Sequence, residues 1–463
     1  MTGNHVKNIL SMVLLALLCS SALTGCDSRA PQPEKERGEK AAEVTPGDET
    51  GERASEADPE LDEIAQAYVR LVLTLGNHDK SYVDAYYGPE QWKTDAAADA
   101  ASPAELASRA ESLLARLPEE IAPAGDLHTL RKHYLKTQLT ALAAHAHHIA
   151  DASFRDFQEE AKALYDTEPP VQTYAEFDPV LAQLEQELPG AEPLHVRVRQ
   201  FQQQYRIPED KLEVVFNAAI AECKKRTLAH MSLPPAESFK LEYVQDKPWS
   251  GYNWYQGKAH SLIQINSGLP IYIDRAVDLG CHEGYPGHHT YNALLEQKLV
   301  QEQGWPEYSV YPLFSPQSLI AEGSANYGIE LAFPGAEKTR FEQETLYPLA
   351  GLDPATAEKY QRVLSLLAQL KFAENIVARE YINGKIDRDE AMARFQKYTA
   401  MSPEKAAQRV QFVDTYGAYV INYNWGKALV KQYIEGDTES RDGRWQKFSR
   451  LLSSPRLPSS LHW

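Results

Sequence analysis

Residues 261–289 read SLIQINSGLPIYIDRAVDLGCHEGYPGHH. The first six, Ser261 to Asn266, alternate in period two as a half-buried strand does, and they lead directly to a histidine cluster. That cluster, His282-Glu283-Gly284-Tyr285-Pro286-Gly287-His288-His289, sets three imidazoles and a carboxylate within eight residues. His and Glu are the residue types that bind zinc and activate its water. Phe239 to Val244 also alternates in period two and supplies a second strand. The expectation is a small sheet beside a metal-binding helix. An edge strand so placed can pair with an extended peptide backbone and hold it across the metal.

Away from these strands helical periodicity dominates. Leu61 to Leu75 carries Leu61, Ile64, Ala65, Tyr68, Val69, Leu71, Val72 and Leu75 on one helix face. Pro103 to Leu117, Leu127 to Ala150 and Pro208 to His230 read similarly, the last with Pro208 in its first turn. Asp353-Pro354 is an N-cap followed by a first-turn proline. The helix it opens is expected to run to about Ile382, where Asn383-Gly384 stops it. Ser402-Pro403-Glu404 starts another. With no internal repeat and no βαβ alternation, the expected fold is mainly α.

The spacing of the histidines is not that of the common His-Glu-x-x-His motif, in which two His sit four apart on one helical face. Here the fourth and fifth positions after His282 are Pro286 and Gly287. On a straight helix His288 would be turned about 120° away from His282, and His289 would lie roughly 10 Å along the axis. Zinc–nitrogen bonds of about 2.0–2.1 Å require ligating nitrogens within about 4 Å of each other. An unbroken helix therefore cannot use either. Proline removes a helical hydrogen bond, and glycine permits a backbone other residues resist. Looping out those two residues makes His288 the partner of His282 at the metal and points His289 elsewhere; His289 is the alternative ligand.

Glu283 then has the place of the general base beside a metal-activated water. A third protein ligand is needed, with the fourth position left open. Ile320-Ala321-Glu322-Gly323-Ser324-Ala325-Asn326-Tyr327 reads as a helix, and Glu322 takes the ligand role; Glu330 is a weaker candidate. Gly323, Ser324 and Ala325 allow close approach of a neighbouring helix. His145, His147 and His148 sit on one expected helix with no nearby carboxylate set, and read as core or solvated side chains.

The start of the chain speaks to place. Lys7 and the amino terminus precede an apolar run from Ile9 to Leu23, which ends in Leu23-Thr24-Gly25-Cys26. The run is short and ends in a processing site, so residues 1–25 read as a cleaved signal peptide rather than a membrane span. Residues 26–60 read as a disordered acidic tether, since 27–60 hold eleven acidic and five basic side chains and almost no large apolar residue. Residues 61–463 are left for a single domain with a substantial core. The formal charge of −18 argues against nucleic acid and against docking onto anionic lipid. Beyond Cys19 and Cys26 only Cys223 and Cys281 remain; they can form one bridge but no disulfide framework, and neither lies in a Cys-x-x-Cys pattern.

Two resemblances add to this. Leu23-Thr24-Gly25-Cys26 resembles the lipobox of bacterial lipoproteins, which implies lipidation of Cys26 and a membrane anchor. Residues 282–289 resemble the His-Glu-x-x-Pro-Gly-His-His motif of domain-of-unknown-function family 885, bacterial proteins often found as lipoproteins. In that family Glu-Gly-Trp-Ala follows about forty residues later; residues 322–325 match it except that Ser324 stands in place of Trp. Tyr423-Asn424-Trp425-Gly426 resembles a later Tyr-x-x-Gly, and Asp84-Ala85-Tyr86-Tyr87-Gly88-Pro89 a subgroup feature. The family is grouped with gluzincin-type zinc metallopeptidases. The resemblance implies a large helical cleft-type fold, two His and one Glu on zinc, and a Glu base. Gluzincins often draw an oxyanion donor from a late helix; Tyr416, Tyr419 and Tyr423 lie in such a stretch, and Tyr423 fits the family position. Arg409 and Lys427 can hold a substrate carboxylate but read first as surface charges.

The function expected is that of a zinc metallopeptidase anchored in the bacterial envelope and facing the periplasm, acting on peptides. A non-catalytic helical lipoprotein that binds a peptide or envelope component is the alternative, as is a zinc hydrolase of a non-peptide amide or ester.

Overall fold

Asp58 opens the first helix: its side chain accepts the Leu61 amide at 3.1 Å, and Pro59 occupies the first turn of Pro59–Leu75. Leu61, Ile64, Ala65, Tyr68, Val69, Val72 and Leu75 all turn inward, as the periodicity requires. The computed structural model describes residues 58–461 other than Arg155 and Pro248. The signal peptide, Cys26 and most of the expected tether lie outside the described residues; the helix takes in Pro59 and Glu60, the last two residues of that expected tether.

The protein is mainly α. Ser102 and Glu105 form a reciprocal capping box ahead of Pro103–Leu114, Asp126 caps Leu127–Asp151, and Ser402 caps Pro403–Tyr416. Pro208 precedes a short 3-10 turn, Glu209–Lys211, and the helix proper is Leu212–Leu228. The expected continuous helix from Asp353 to Ile382 is interrupted. A 3-10 turn at Pro354–Thr356 leads to Ala357–Leu370, and a second helix, Ala373–Ile382, follows a break at Lys371–Phe372. The carbonyl of Lys371 at that break is taken at 3.0 Å by the side-chain amide of Asn424 from a distant helix. Asn383-Gly384 ends the second helix, with Gly384 at a φ of +65°.

Strand is sparse and clustered. β1 (Val83–Tyr86) pairs antiparallel with a strand far along the chain, Val310–Pro312. The second sheet holds β2 (Ser238–Val244), β3 (Gly251–Tyr255) and β4 (His260–Asn266) in the order β2-β4-β3. β4 is central, parallel to β2 from Ser238↔His260 to Val244↔Asn266, and antiparallel to β3 from Gly251↔Ile265 to Tyr255↔Ser261. β2 and β4 are the two strands expected from the sequence, and β3 forms an edge. The short strand Val310–Pro312 is β5. No described helix is long and apolar enough to cross a membrane.

Candidate metal centre

From β4 the chain passes into the helix Asp274–Leu279, widens into a π turn over Gly280–Gly284, and breaks. Tyr285 is extended, the Tyr285–Pro286 peptide is cis, and a new helix starts at His288 and runs to Leu295. The expectation of two residues looped from one helix is thus corrected to a three-residue break between two helical segments. Gly287 makes the break possible. Its amide donates to the Cys281 carbonyl at 3.0 Å, and a Cβ there would stand 1.8 Å from the His282 carbonyl oxygen. No residue but glycine fits so close a backbone approach.

The break brings His288 to His282. Their Nε2 atoms lie 3.1 Å apart with ring planes at 87°. Glu322, on the helix Pro316–Ala332, places Oε2 at 3.3 Å from His282 Nε2 and 3.8 Å from His288 Nε2. A tetrahedral metal with bonds of about 2.0–2.1 Å sets its ligand atoms about 3.3–3.4 Å apart, so the triangle has the right size. Glu322 Oε2 is buried and receives no hydrogen bond, whereas Oε1 accepts from the Tyr419 hydroxyl at 3.0 Å. A buried carboxylate oxygen without a donor, facing two imidazole nitrogens, suits a divalent cation. Burial opposes ionisation of Glu322, yet the two imidazoles outweigh it and hold the carboxyl far below its ordinary range. Burial would lower the His288 pKa; Glu322, Glu283 and Asp84 instead raise it to about 9. The cluster is built for positive charge.

His289 is engaged elsewhere. It is fully buried, with Nδ1 at 2.8 Å from Ser261 Oγ and Nε2 at 3.0 Å from Glu237 Oε2. Glu330 is ion-paired with Lys427 at 2.7 Å and Lys431 at 2.8 Å, away from the triangle. Arg409 pairs with Glu374 at 3.1 Å. His145 meets Asp79 at 3.1 Å, His147 meets Glu111 at 2.8 Å, and His148 stacks on Phe154, so these three do not converge.

Glu283 is buried beside the triangle. Asn253 of β3 donates to its main-chain carbonyl at 2.7 Å, and a Cβ on Gly251 would come within 3.0 Å of its Oε1. The opening residues of β3 therefore floor the site. Cys223 and Cys281 are disulfide-bonded, with Cα atoms 5.5 Å apart, which fastens the π turn to the helix Leu212–Leu228.

Tyr419 and Tyr423 come from a 3-10 turn, Gly417–Val420, and the helix Ile421–Glu435 that follows it. This helix crosses the Glu322 helix through glycine on both sides. A Cβ on Gly323 would meet the Gly426 main chain at 2.5 Å, and one on Gly426 would meet the Leu319 carbonyl at 2.9 Å. Ser324, where the resembling family has Trp, is buried and bonds back to the Ala321 carbonyl at 3.1 Å. Tyr423 lies one helical turn beyond Tyr419, with ring centroids 5.8 Å apart. Desolvation, then the charges of Glu322 and Glu283, push its hydroxyl pKa well up, so it stays a proton donor.

Two residues that sequence reasoning missed face the same place. Asp84 of β1 accepts a hydrogen bond from the Tyr252 hydroxyl of β3. Burial pushes the Asp84 carboxyl up to about 6, against the lowering effect of Tyr252 and His288 and with further raising by Glu322 and Glu283. The one signal for Asp84 was its place in the 84–89 segment singled out above; for Tyr252 there was none.

No family model matches the chain, and no curated protein matches it. Solved structures give distant likenesses. Among them are two putative lipoproteins. One, from Colwellia psychrerythraea, has 13% identity and a TM-score of 0.48 over 78% of this chain and 66% of that one. The other, of unknown function and from Shewanella oneidensis, has 11% identity and a TM-score of 0.43 over 80% and 74%. The M32 carboxypeptidase from Deinococcus radiodurans R1 has 13% identity and a TM-score of 0.44, over 85% of this chain and 89% of that one. The chain spans just under two thirds of the Colwellia protein.

Proposed function

We propose that the protein is a zinc-dependent peptidase whose metal is held by His282, His288 and Glu322. The observation that carries this reading is the triangle of 3.1, 3.3 and 3.8 Å with a buried, donorless Glu322 oxygen at one corner. Zinc, when bound, supplies a water of lowered pKa and a Lewis acid for the scissile carbonyl. Glu283 accepts the proton of the attacking water and passes it to the departing amine. Tyr423 donates its hydroxyl proton in a hydrogen bond to the carbonyl oxygen as negative charge develops there. Tyr419, bonded to Glu322 Oε1, fixes the direction in which that carboxylate presents Oε2. The exposed side of β3, an edge strand that begins against Glu283, suits an extended peptide backbone.

The reading extends to place: a lipid on Cys26 would tether the enzyme to an envelope membrane with its cleft in the periplasm. Metal analysis of purified protein tests the ligand set, with one zinc per chain expected. The Glu283→Gln variant should keep that zinc and lose about 100- to 10,000-fold in hydrolysis of a mixed peptide library. Stoichiometric zinc with unchanged hydrolysis in the variant would refute Glu283 as the base.

A further inference from the structure

We infer that Asp84 is a substrate-recognition residue: held by Tyr252 at the rim of the metal site, it takes a primary ammonium group of the peptide beside the scissile bond. The inference rests on the peptidase reading and adds a direction to it.

Asp84 reaches the site from a strand that pairs with Val310–Pro312, remote in sequence from every other residue there. Tyr252 precedes Asn253, which holds the Glu283 carbonyl, and follows Gly251, which abuts the Glu283 carboxylate. Tyr252 projects from the other face of β3, yet the charge of Glu283 acts on both Asp84 and Tyr252, so the pair lies within electrostatic reach of Glu283. The groups whose charge acts most on Asp84 are His288, Glu322 and Glu283, after its bond with Tyr252; no lysine or arginine stands among them. Among the described residues Asp84 has no ion-pair partner.

Charge balance points to a cation from outside the chain. A divalent metal offsets Glu322 and Glu283, and Asp84 leaves the cleft one negative charge in excess. A half-buried carboxylate without a counter-charge is costly, and one that accepts a single bond from a tyrosine keeps lone pairs free. An ammonium brings three N–H donors and one positive charge. A second metal ion would need its own ligands, and among the described residues only His282, His288 and Glu322 converge as a metal-holding set. A substrate carboxylate is disfavoured: Asp84 would repel it, and Arg409 and Lys427 on the late helices are already paired with Glu374 and Glu330. The ammonium can come from a free peptide N-terminus or from a lysine side chain.

The test compares zinc-loaded wild type, Asp84→Asn and Tyr252→Phe on four matched peptides. They have a free or an acetylated N-terminus, and lysine or norleucine beside the scissile bond. Wild type should favour the ammonium-bearing member of one pair by about 10- to 100-fold in kcat/KM, the range set by one charge-assisted hydrogen bond. A gap between free and acetylated peptides assigns the N-terminus; a gap between lysine and norleucine assigns the side chain. Asp84→Asn should abolish the gap mainly through KM while leaving zinc content unchanged. Tyr252→Phe, which keeps the carboxylate, should narrow the gap only in part. Equal cleavage of all four peptides by wild type, or an equal loss on all four in Asp84→Asn, overturns the inference and leaves the peptidase reading intact. No cleavage of any peptide by zinc-loaded protein overturns both.

Discussion

Gly287 decides which histidine stands beside His282. A side chain there would drive a Cβ to 1.8 Å from the His282 carbonyl and 2.5 Å from the Cys281 carbonyl, both main-chain atoms that cannot yield. Gly287→Ala must therefore push the start of the His288 helix away from His282, and the 3.1 Å separation of the two Nε2 atoms depends on that seat. The expected outcome is loss of stoichiometric zinc even though every ligand is present. His288→Ala should lose zinc as well. His289→Ala should keep it, because both His289 nitrogens are spent on Ser261 and Glu237, and should instead lower stability by about 1–3 kcal/mol as those buried partners are left unpaired. Metal analysis and urea denaturation of the three variants check this. Zinc retained in His288→Ala and lost in His289→Ala would reverse the assignment.

At the scale of elements, the Glu322 helix and the tyrosine helix are placed by their glycine crossing. With Gly323 and Gly426 main chains in contact, Tyr419 can reach Glu322 Oε1 at 3.0 Å. Gly323→Ala puts a methyl 2.5 Å from the Gly426 backbone, so the helices must separate. The expected cost is about 1–3 kcal/mol in urea denaturation, with weaker zinc binding as Tyr419 withdraws. Unchanged stability would show that the crossing has slack. How far such elements were legible depended on whether their burial followed hydrophobicity. β2 and β4 showed in the sequence because apolar residues alternate in them. β3 did not, since its buried position 253 is an asparagine, turned inward to hold the Glu283 carbonyl. β1 and β5 have four and three residues, too few for a period to register. The break at Lys371 was hidden because its carbonyl, besides a local bond from the Glu374 amide, takes one from Asn424, a tertiary partner. The convergence of His282, His288 and Glu322 was legible because two of the three lie in one short motif; the Asp84–Tyr252 pair was not, because only the fold joins them.

Over the whole molecule, the site is assembled from distant segments, and Glu237 fastens several of them behind the His282–His288–Glu322 triangle. It meets Lys224 of the helix Leu212–Leu228 at 2.7 Å, His289 at 3.0 Å, and the hydroxyl of Tyr285 in the break before His288, while its own position leads into β2. Burial opposes its ionisation, but His289, Lys224 and Tyr285 prevail and hold its pKa down to about 2, against 4.5 ordinarily. The folded state therefore binds a proton on Glu237 less readily than the unfolded chain. Its contribution to stability is complete above about pH 4.5 and is lost as pH falls toward about 2. The shift corresponds to at most about 3 kcal/mol. Glu237→Gln removes the titrating group, so its deficit against wild type should be largest near neutrality. As pH falls from about 4.5 the deficit should shrink, wild type losing stability more steeply than the variant. Urea denaturation of both proteins across that range measures the difference. A deficit that stays constant down to the acid transition would mean that Glu237 does not titrate with folding, and that these segments are held together by their packing instead.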